Sequence, residues 1–92
     1  MNSSSQPTPM FENSIYWFKL TPSQTQECGP IHTGENPVWM EIEHDVDGYA
    51  LFIVAENRKS CSDYFFPSLD DAFHQAKFMC GVCRDEWNKY QH

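Results

Sequence analysis

Cysteine and histidine side chains are the groups of this 92-residue sequence that could carry redox or metal chemistry. Cys80 and Cys83 form a Cys-x-x-Cys motif. In thiol oxidoreductases such a pair lies at a helix N-terminus, where the helix dipole stabilises the thiolate. Here the motif falls at the end of a predicted helix, where the dipole opposes the thiolate, and no βαβ pattern surrounds it. Its position argues against a redox centre, although a small thiol protein stays open as an alternative.

The same motif supplies two of the four ligands that a structural zinc site needs. Cys28 and His32, spaced i, i+4 in a long predicted loop, are the candidates for completing such a site with Cys80 and Cys83. The sequence has no second close pair at zinc-knuckle spacing. We therefore favour Cys61 and Cys80 as small buried apolar residues and expect no cofactor. Metal binding by Cys28, His32, Cys80 and Cys83 is kept as an alternative.

Catalysis requires a base, a nucleophile and an oxyanion donor that converge in a pocket. His44 falls on the apolar face of a predicted strand, near its end, and His74 falls on the predicted solvent side of a helix. The sequence nominates no nucleophile to accompany either of them. We predict that the protein is not an enzyme.

Alternating carboxylates are the strongest candidate for a binding site. They occupy one side of a predicted strand, and Trp39, Phe52 and Val54 would border them on the sheet. Carboxylates beside exposed aromatic side chains are a reasonable composition for a protein-binding surface. A solvated sheet face is the alternative interpretation. The predicted partner-binding residues are Trp39, Glu41, Glu43, Asp45, Asp47 and Phe52.

These residues lie in the most clearly patterned part of the chain, which spans residues 38–81. Residues 38–47 alternate with period two, as in a strand with one buried face. Asp47-Gly48 suits a type I′ turn, and residues 49–55 form a predicted central strand. This turn would place Ile42 opposite Ile53. The buried face would then consist of Met40, Ile42, Tyr49, Leu51 and Ile53.

A strand and a helix follow this hairpin. The strand spans residues 61–66 and ends at Pro67. Ser68 begins the helix with Asp71 in a capping-box arrangement, and Gly81 is its natural end. One apolar stripe runs along this helix, so we expect it to lie across the buried face of the hairpin. The stripe comprises Leu69, Ala72, Phe73, Ala76 and Cys80.

The remaining segments complete a small domain. Residues 14–20 are predicted as a first strand with bulky side chains on both faces, which indicates that part of its outer face is covered. Residues 21–37 are predicted as an irregular loop, and residues 82–92 as a helical turn that packs Trp87 or a final strand. We predict a disordered tail over residues 1–12 and a single domain over residues 13–92. The predicted fold is α+β: an antiparallel β-meander of about four strands with one main helix packed on one face.

The net charge of −7 limits the class of partner. Only six scattered Lys and Arg residues are present, which argues against nucleic-acid binding. An acidic surface suits a basic protein partner, or it serves only solubility. We expect no membrane span and no signal peptide, so a cytoplasmic location is the default, and disulfide bonds are not expected there.

The last third of the chain carries a composite pattern. Residues 62–72 (SDYFFPSLDDA) combine an aromatic strand with a Ser-Leu-acidic-acidic-Ala helix start. QAKF (75–78), Gly81-Val82 and Glu86-Trp87 follow. This pattern resembles a loose group of small bacterial proteins, some of which resemble immunity proteins that neutralise toxins. The Cys80/Cys83 pair is not a feature of that group. The resemblance implies an α+β fold and a non-enzymatic binding function.

Three functional hypotheses follow from the sequence. The first is a non-enzymatic, acidic protein-binding domain, in an immunity-like form an inhibitor of a basic partner. The second is a small metal-binding or thiol protein that uses Cys80 and Cys83. The third is a homodimer built on the same sheet face, as a subunit of a larger assembly.

Overall fold

The structure is a computed structural model that describes residues 6–91. One five-stranded antiparallel sheet has the strand order β4-β3-β2-β1-β5. The strands are β1 (Ser14–Lys19), β2 (Pro37–Asp45), β3 (Gly48–Ala55), β4 (Cys61–Phe66) and β5 (Asn88–Lys89). The helices are α1 (Pro22–Cys28) and α2 (Leu69–Cys80), and a 3-10 turn spans Arg84–Glu86. The predicted α+β fold with one main helix on the sheet is confirmed, with five strands instead of about four.

The main hydrophobic core lies between the sheet and α2. Ser68 caps α2 by accepting a hydrogen bond from the Asp71 N–H at 3.2 Å, and Gly81 ends it in the left-handed conformation. The predicted stripe of α2 faces the sheet, and burying each larger apolar side chain there contributes roughly 1.5–3 kcal/mol. The buried residues of this core include Met40, Ile42, Leu51 and Ile53 of the sheet and Ala72, Phe73, Ala76 and Cys80 of α2. No helix in residues 6–91 is long and apolar enough to cross a membrane.

The β2–β3 hairpin turns at Val46-Asp47, so the predicted turn at Asp47-Gly48 is wrong. Asp45 pairs with Gly48 across the hairpin. Arg58 is the only non-glycine residue with positive φ in residues 6–91, so the two turn residues lack the left-handed backbone of a type I′ turn.

The register of the hairpin consequently differs from the predicted one by two residues. Ile42 pairs with Leu51 instead of Ile53. A shift of two residues leaves every side chain on its predicted side of the sheet, because side chains alternate with period two. Gly48 is needed because a Cβ there would collide with the carbonyl oxygen of Phe66 in β4.

The predicted irregular loop contains a helix, α1. Thr21 caps it: its hydroxyl accepts a hydrogen bond from the Gln24 N–H, and the Gln24 side chain accepts one from the Thr21 N–H. No residue of α1 is buried, so packing holds it only weakly. A disulfide joins Cys28 at its end to Cys80 of α2, with the Cα atoms 4.2 Å apart. The expectation that the protein has no disulfide is therefore wrong.

Both terminal segments contact the sheet. Residues 1–5 of the predicted disordered tail lie outside the described residues, but Phe11 stacks on Phe52 of β3. The prediction of a disordered tail therefore does not hold where this contact forms. In the C-terminal segment the 3-10 turn and β5 both occur, and Trp87 between them packs in the main core.

We expect Cys28→Ser to lower the free energy of unfolding by about 3–4 kcal/mol, because the disulfide closes a long loop in the unfolded chain. The two cysteines are 52 residues apart in sequence. Denaturant titration under non-reducing conditions measures the loss, and Cys83→Ser is the matched control. If Cys80 paired with Cys83 instead, Cys83→Ser would show the loss of unfolding free energy and Cys28→Ser would not. That result would contradict the Cys28–Cys80 disulfide.

Candidate functional site

The predicted row of exposed carboxylates is interrupted at Glu41, which has no exposed surface. Trp39 is also buried, at 5% exposure. Both lie on the side of the sheet opposite α2, which we call the outer face. The N-terminal segment and the residues after β5 cover this part of it. The prediction that Glu41 and Trp39 are exposed to a partner is therefore wrong.

The Glu41 carboxylate accepts hydrogen bonds from four groups. The Ser14 hydroxyl donates at 2.6 Å and the Trp39 indole N–H at 2.7 Å. The Met10 backbone N–H lies 3.1 Å from both carboxylate oxygens, and the Tyr90 hydroxyl donates at 3.2 Å. None of these donors carries a formal charge, so converging dipoles, instead of an ion pair, stabilise the buried group. We call these five residues the Glu41 network.

Aromatic side chains complete the cover of this part of the outer face. Trp17 stacks on Trp39 with ring centroids 5.2 Å apart, and Phe11 stacks on Phe52 at 3.7 Å. The Arg58 guanidinium lies 5.4 Å from the centre of the Trp39 ring. A cation over an aromatic ring adds about 0.5–1 kcal/mol at an exposed site. Phe52, a predicted binding residue, is consequently half-buried beneath Phe11.

The rest of the predicted row remains accessible at one end of the sheet. Asp45 and Asp47 are exposed, Glu43 is partly exposed, and Val46 between the two aspartates is 96% exposed. The Asn13 N–H donates to Glu43 at 3.2 Å, which places the exposed Glu12 beside this row. We call this surface the acidic end, and it comprises Glu12, Glu43, Asp45, Val46 and Asp47.

A shallow depression of about 320 Å³ adjoins the acidic end. Glu12, Asn13, Ile15 and His44 line it. The His44 ring stacks on Tyr49 with centroids 4.6 Å apart. The depression thus combines a carboxylate with apolar and aromatic surface, a composition that suits a basic side chain with an apolar stem.

A second depression of about 190 Å³ lies over α2 and has mixed charge. His74 and Lys77 line it together with Asp70 and Arg84, which form an ion pair at 2.6 Å. Cations and a carboxylate already compensate each other there. This depression therefore lacks the acidic character of the first.

The four candidate metal ligands are not brought together. Cys28 is bonded to Cys80, and the His32 Nδ1 lies 2.8 Å from the Ser62 hydroxyl. Cys83 is a free, half-buried thiol. In the part of the chain that the structure describes, no group of three His, Cys, Asp or Glu side chains could hold a metal ion. The structure therefore does not support the metal-binding alternative, and Cys80 and Cys83 do not act as a bonded pair.

The other free cysteine, Cys61, lies in β4. Burial, and secondly the charge of Asp63, raises the pKa of the Cys61 thiol. A raised pKa keeps the thiol protonated at neutral pH and makes it a poor nucleophile. Cys61 therefore adds no support to a thiol-based function.

Comparisons with protein-family models, curated proteins and solved structures gave no match. Function is therefore inferred from the geometry and charge of this chain. The resemblance to immunity-like proteins stays a prediction.

We expect Glu41→Gln to lower the free energy of unfolding by about 2–4 kcal/mol. The amide of glutamine has one acceptor oxygen, so one of the N–H donors, from Met10 or Trp39, would lose its acceptor or face another donor. Glu43→Gln is the matched control, since Glu43 is partly exposed and accepts one bond. Urea titration of both variants tests the difference, and equal losses would contradict the Glu41 network.

Burial, and secondly the Glu41 carboxylate, raises the pKa of Tyr90. A phenol whose pKa is raised in the folded state stabilises the fold below its unfolded pKa of about 10 and loses that contribution as the pH rises further. We therefore expect the free energy of unfolding to fall between about pH 10 and 12, and to fall less steeply in Tyr90→Phe. Urea titrations across this range measure both slopes, with exposed Tyr64→Phe as control. Equal slopes for Tyr90→Phe and the wild type would contradict the assignment.

Proposed function

We propose that this protein is a non-enzymatic protein-binding domain whose acidic end binds a basic surface of another protein. Val46 is the observation that supports this most. It is 96% exposed at the tip of the hairpin, between two exposed aspartates. An apolar side chain flanked by carboxylates combines desolvation with charge attraction, the two features that give protein interfaces affinity and orientation.

The distribution of charge supports a basic partner. Within residues 6–91 the only ion pair joins Arg84 to Asp70, so no Lys or Arg is paired with a carboxylate of the acidic end. Lys19 and the β3–β4 turn with Arg58 lie at the opposite end of the sheet, as the pairing of Lys19 with Trp39 shows. Carboxylates without compensating cations attract positive charge over about 8 Å at physiological salt.

The depression beside the acidic end offers a place for a basic side chain. Ile15 would contact the alkyl stem of a partner's lysine or arginine, while Glu12 would approach its charged group. A charged hydrogen bond of this kind is stronger than a neutral one and adds orientation. The proposal thus names both the surface and the chemistry that it recognises.

The Glu41 network supports the proposal by fixing the acidic end before a partner arrives. It holds Met10, and three residues later the Asn13 N–H donates to Glu43. A preformed surface loses less conformational entropy on binding. In an immunity-like form of this function, the partner would be a basic enzyme whose active site is blocked.

A cytoplasmic location belongs to this proposal, but the Cys28–Cys80 disulfide argues against it, because cytosolic thiol systems keep most cysteines reduced. Thiol labelling in extracts of the native host, quenched at once with acid, would show Cys28 and Cys80 as thiols in the cytosol and as a disulfide in an oxidising compartment.

Co-purification from the native host tests the proposed function with three proteins: the wild type, Asp45→Lys/Asp47→Lys, and a control variant. The control, Glu56→Lys/Asp85→Lys, reverses two exposed carboxylates outside the acidic end. We expect a basic partner to bind the wild type and the control equally well. We expect it to bind Asp45→Lys/Asp47→Lys at least tenfold more weakly, a loss of binding free energy of about 1.4 kcal/mol or more. A partner that binds all three proteins equally would contradict the proposal. So would the recovery of no partner with the wild type.

A further inference from the structure

The two edges of the sheet differ in how they are protected. The β5 edge has only two residues and carries Lys89. Short strands and lysines are devices that keep sheet edges from pairing with other chains. β4 has six residues, contains neither Lys nor Pro, and pairs with β3 without a bulge. The β4 edge therefore lacks these protections, and Asp63 is its one charged side chain.

The backbone of β4 offers free hydrogen-bonding groups at this edge. In antiparallel sheets, successive residues point their N–H and C=O alternately towards and away from the neighbouring strand. The Ala55 N–H of β3 donates to the Ser60 oxygen at 2.8 Å, so Ser60 and every second residue after it direct their backbone groups towards β3. Cys61, Asp63 and Phe65 therefore direct their backbone groups outward, and no other segment of residues 6–91 pairs with them.

Aromatic side chains flank these groups on both sides of the sheet. Phe65 is 57% exposed on the outer face, and Tyr64 is 38% exposed on the α2 side. A strand added at this edge would cover both rings and satisfy the backbone groups together. The edge therefore combines the two contributions on which strand addition depends.

We propose that β4 pairs in antiparallel orientation with β4 of a second copy of this chain, which makes one continuous sheet through both. A two-fold axis at Tyr64 fits the strand best. Asp63 would then lie opposite Phe65 of the second copy, and both residues have outward backbone groups that can exchange hydrogen bonds. The other well-overlapped register, centred on Asp63, would place two carboxylates directly opposite each other, which is destabilising. β4 therefore has one well-overlapped symmetric register that avoids a like-charge pair, and a symmetric dimer uses the same patch of both copies.

This interface is separate from the acidic end and does not rest on the proposed function. Salt distinguishes the two. Each copy carries a net charge of −7, so the copies repel each other and screening by salt strengthens the dimer. Screening weakens the attraction between the acidic end and a basic partner.

Sedimentation equilibrium over a range of protein concentrations, at low and high salt, tests the dimer. We expect the wild type to pass from monomer to dimer, with tighter association at high salt. Phe65→Glu, which places a second carboxylate opposite Asp63 of the other copy, should weaken association at least tenfold. Phe78→Glu is the matched control, because Phe78 is 79% exposed on α2 and away from the edge. A wild type that stays monomeric throughout, or equal dimers of Phe65→Glu and the wild type, would overturn the proposal.

A cross-linking variant tests the register independently of the stability of Phe65→Glu. Tyr64→Cys, made with Cys61→Ser and Cys83→Ser, places two cysteines across the two-fold axis. The Cα atoms of such a pair lie about 4.5 Å apart, within disulfide range. We expect mild oxidation to give a covalent dimer of Tyr64→Cys and at least tenfold less of one from Phe78→Cys in the same background. Equal cross-linking of the two would overturn the register.

Discussion

The burial of the Glu41 carboxylate is the interaction on which the rest of the structure depends. Removing a carboxylate from water costs several kcal/mol unless hydrogen-bond donors replace the lost hydration. Here the donors come from the N-terminal segment, β1, β2 and the residues after β5. All of these donors bind the same carboxylate, so segments that are distant in sequence become ordered together. One acidic residue thus fixes where the segment around Met10 and the residue Tyr90 lie on the sheet.

This closure determines which surfaces are left for function. With α2 on one side of the sheet and the N-terminal segment on the other, the acidic end and the β4 edge stay accessible. The acidic end offers charge around one exposed valine, whereas the β4 edge offers backbone groups between two aromatic rings. The two surfaces therefore suit different partners, and one molecule can use both.

Local patterns in the sequence predict the fold. Which residues of the outer face are buried depends on contacts between distant segments, and no local pattern records those contacts. Period-two alternation identifies β2 and its two sides, and the capping residues identify α2. The same alternation cannot show that other segments cover Glu41, although bulky Trp17 on the outer side of β1 was a signal of that cover. α1 was missed even though Thr21-Pro22 with Gln24 is a readable capping box. The Cys28–Cys80 disulfide joins residues 52 positions apart, a separation that no local pattern records, and the expected cytoplasmic location argued against any disulfide.

Hydrogen exchange followed by NMR tests the central claim most directly, through the Met10 amide and the Trp39 indole N–H. Both donate to Glu41, at 3.1 Å and 2.7 Å. If the Glu41 network closes the outer face, both protons should exchange as slowly as the central amides of β2 and β3, roughly a thousandfold or more below the rate of an unfolded chain. Unprotected exchange of Met10 and Trp39 beside protected β2 and β3 would show that the outer face is open, and would contradict the account.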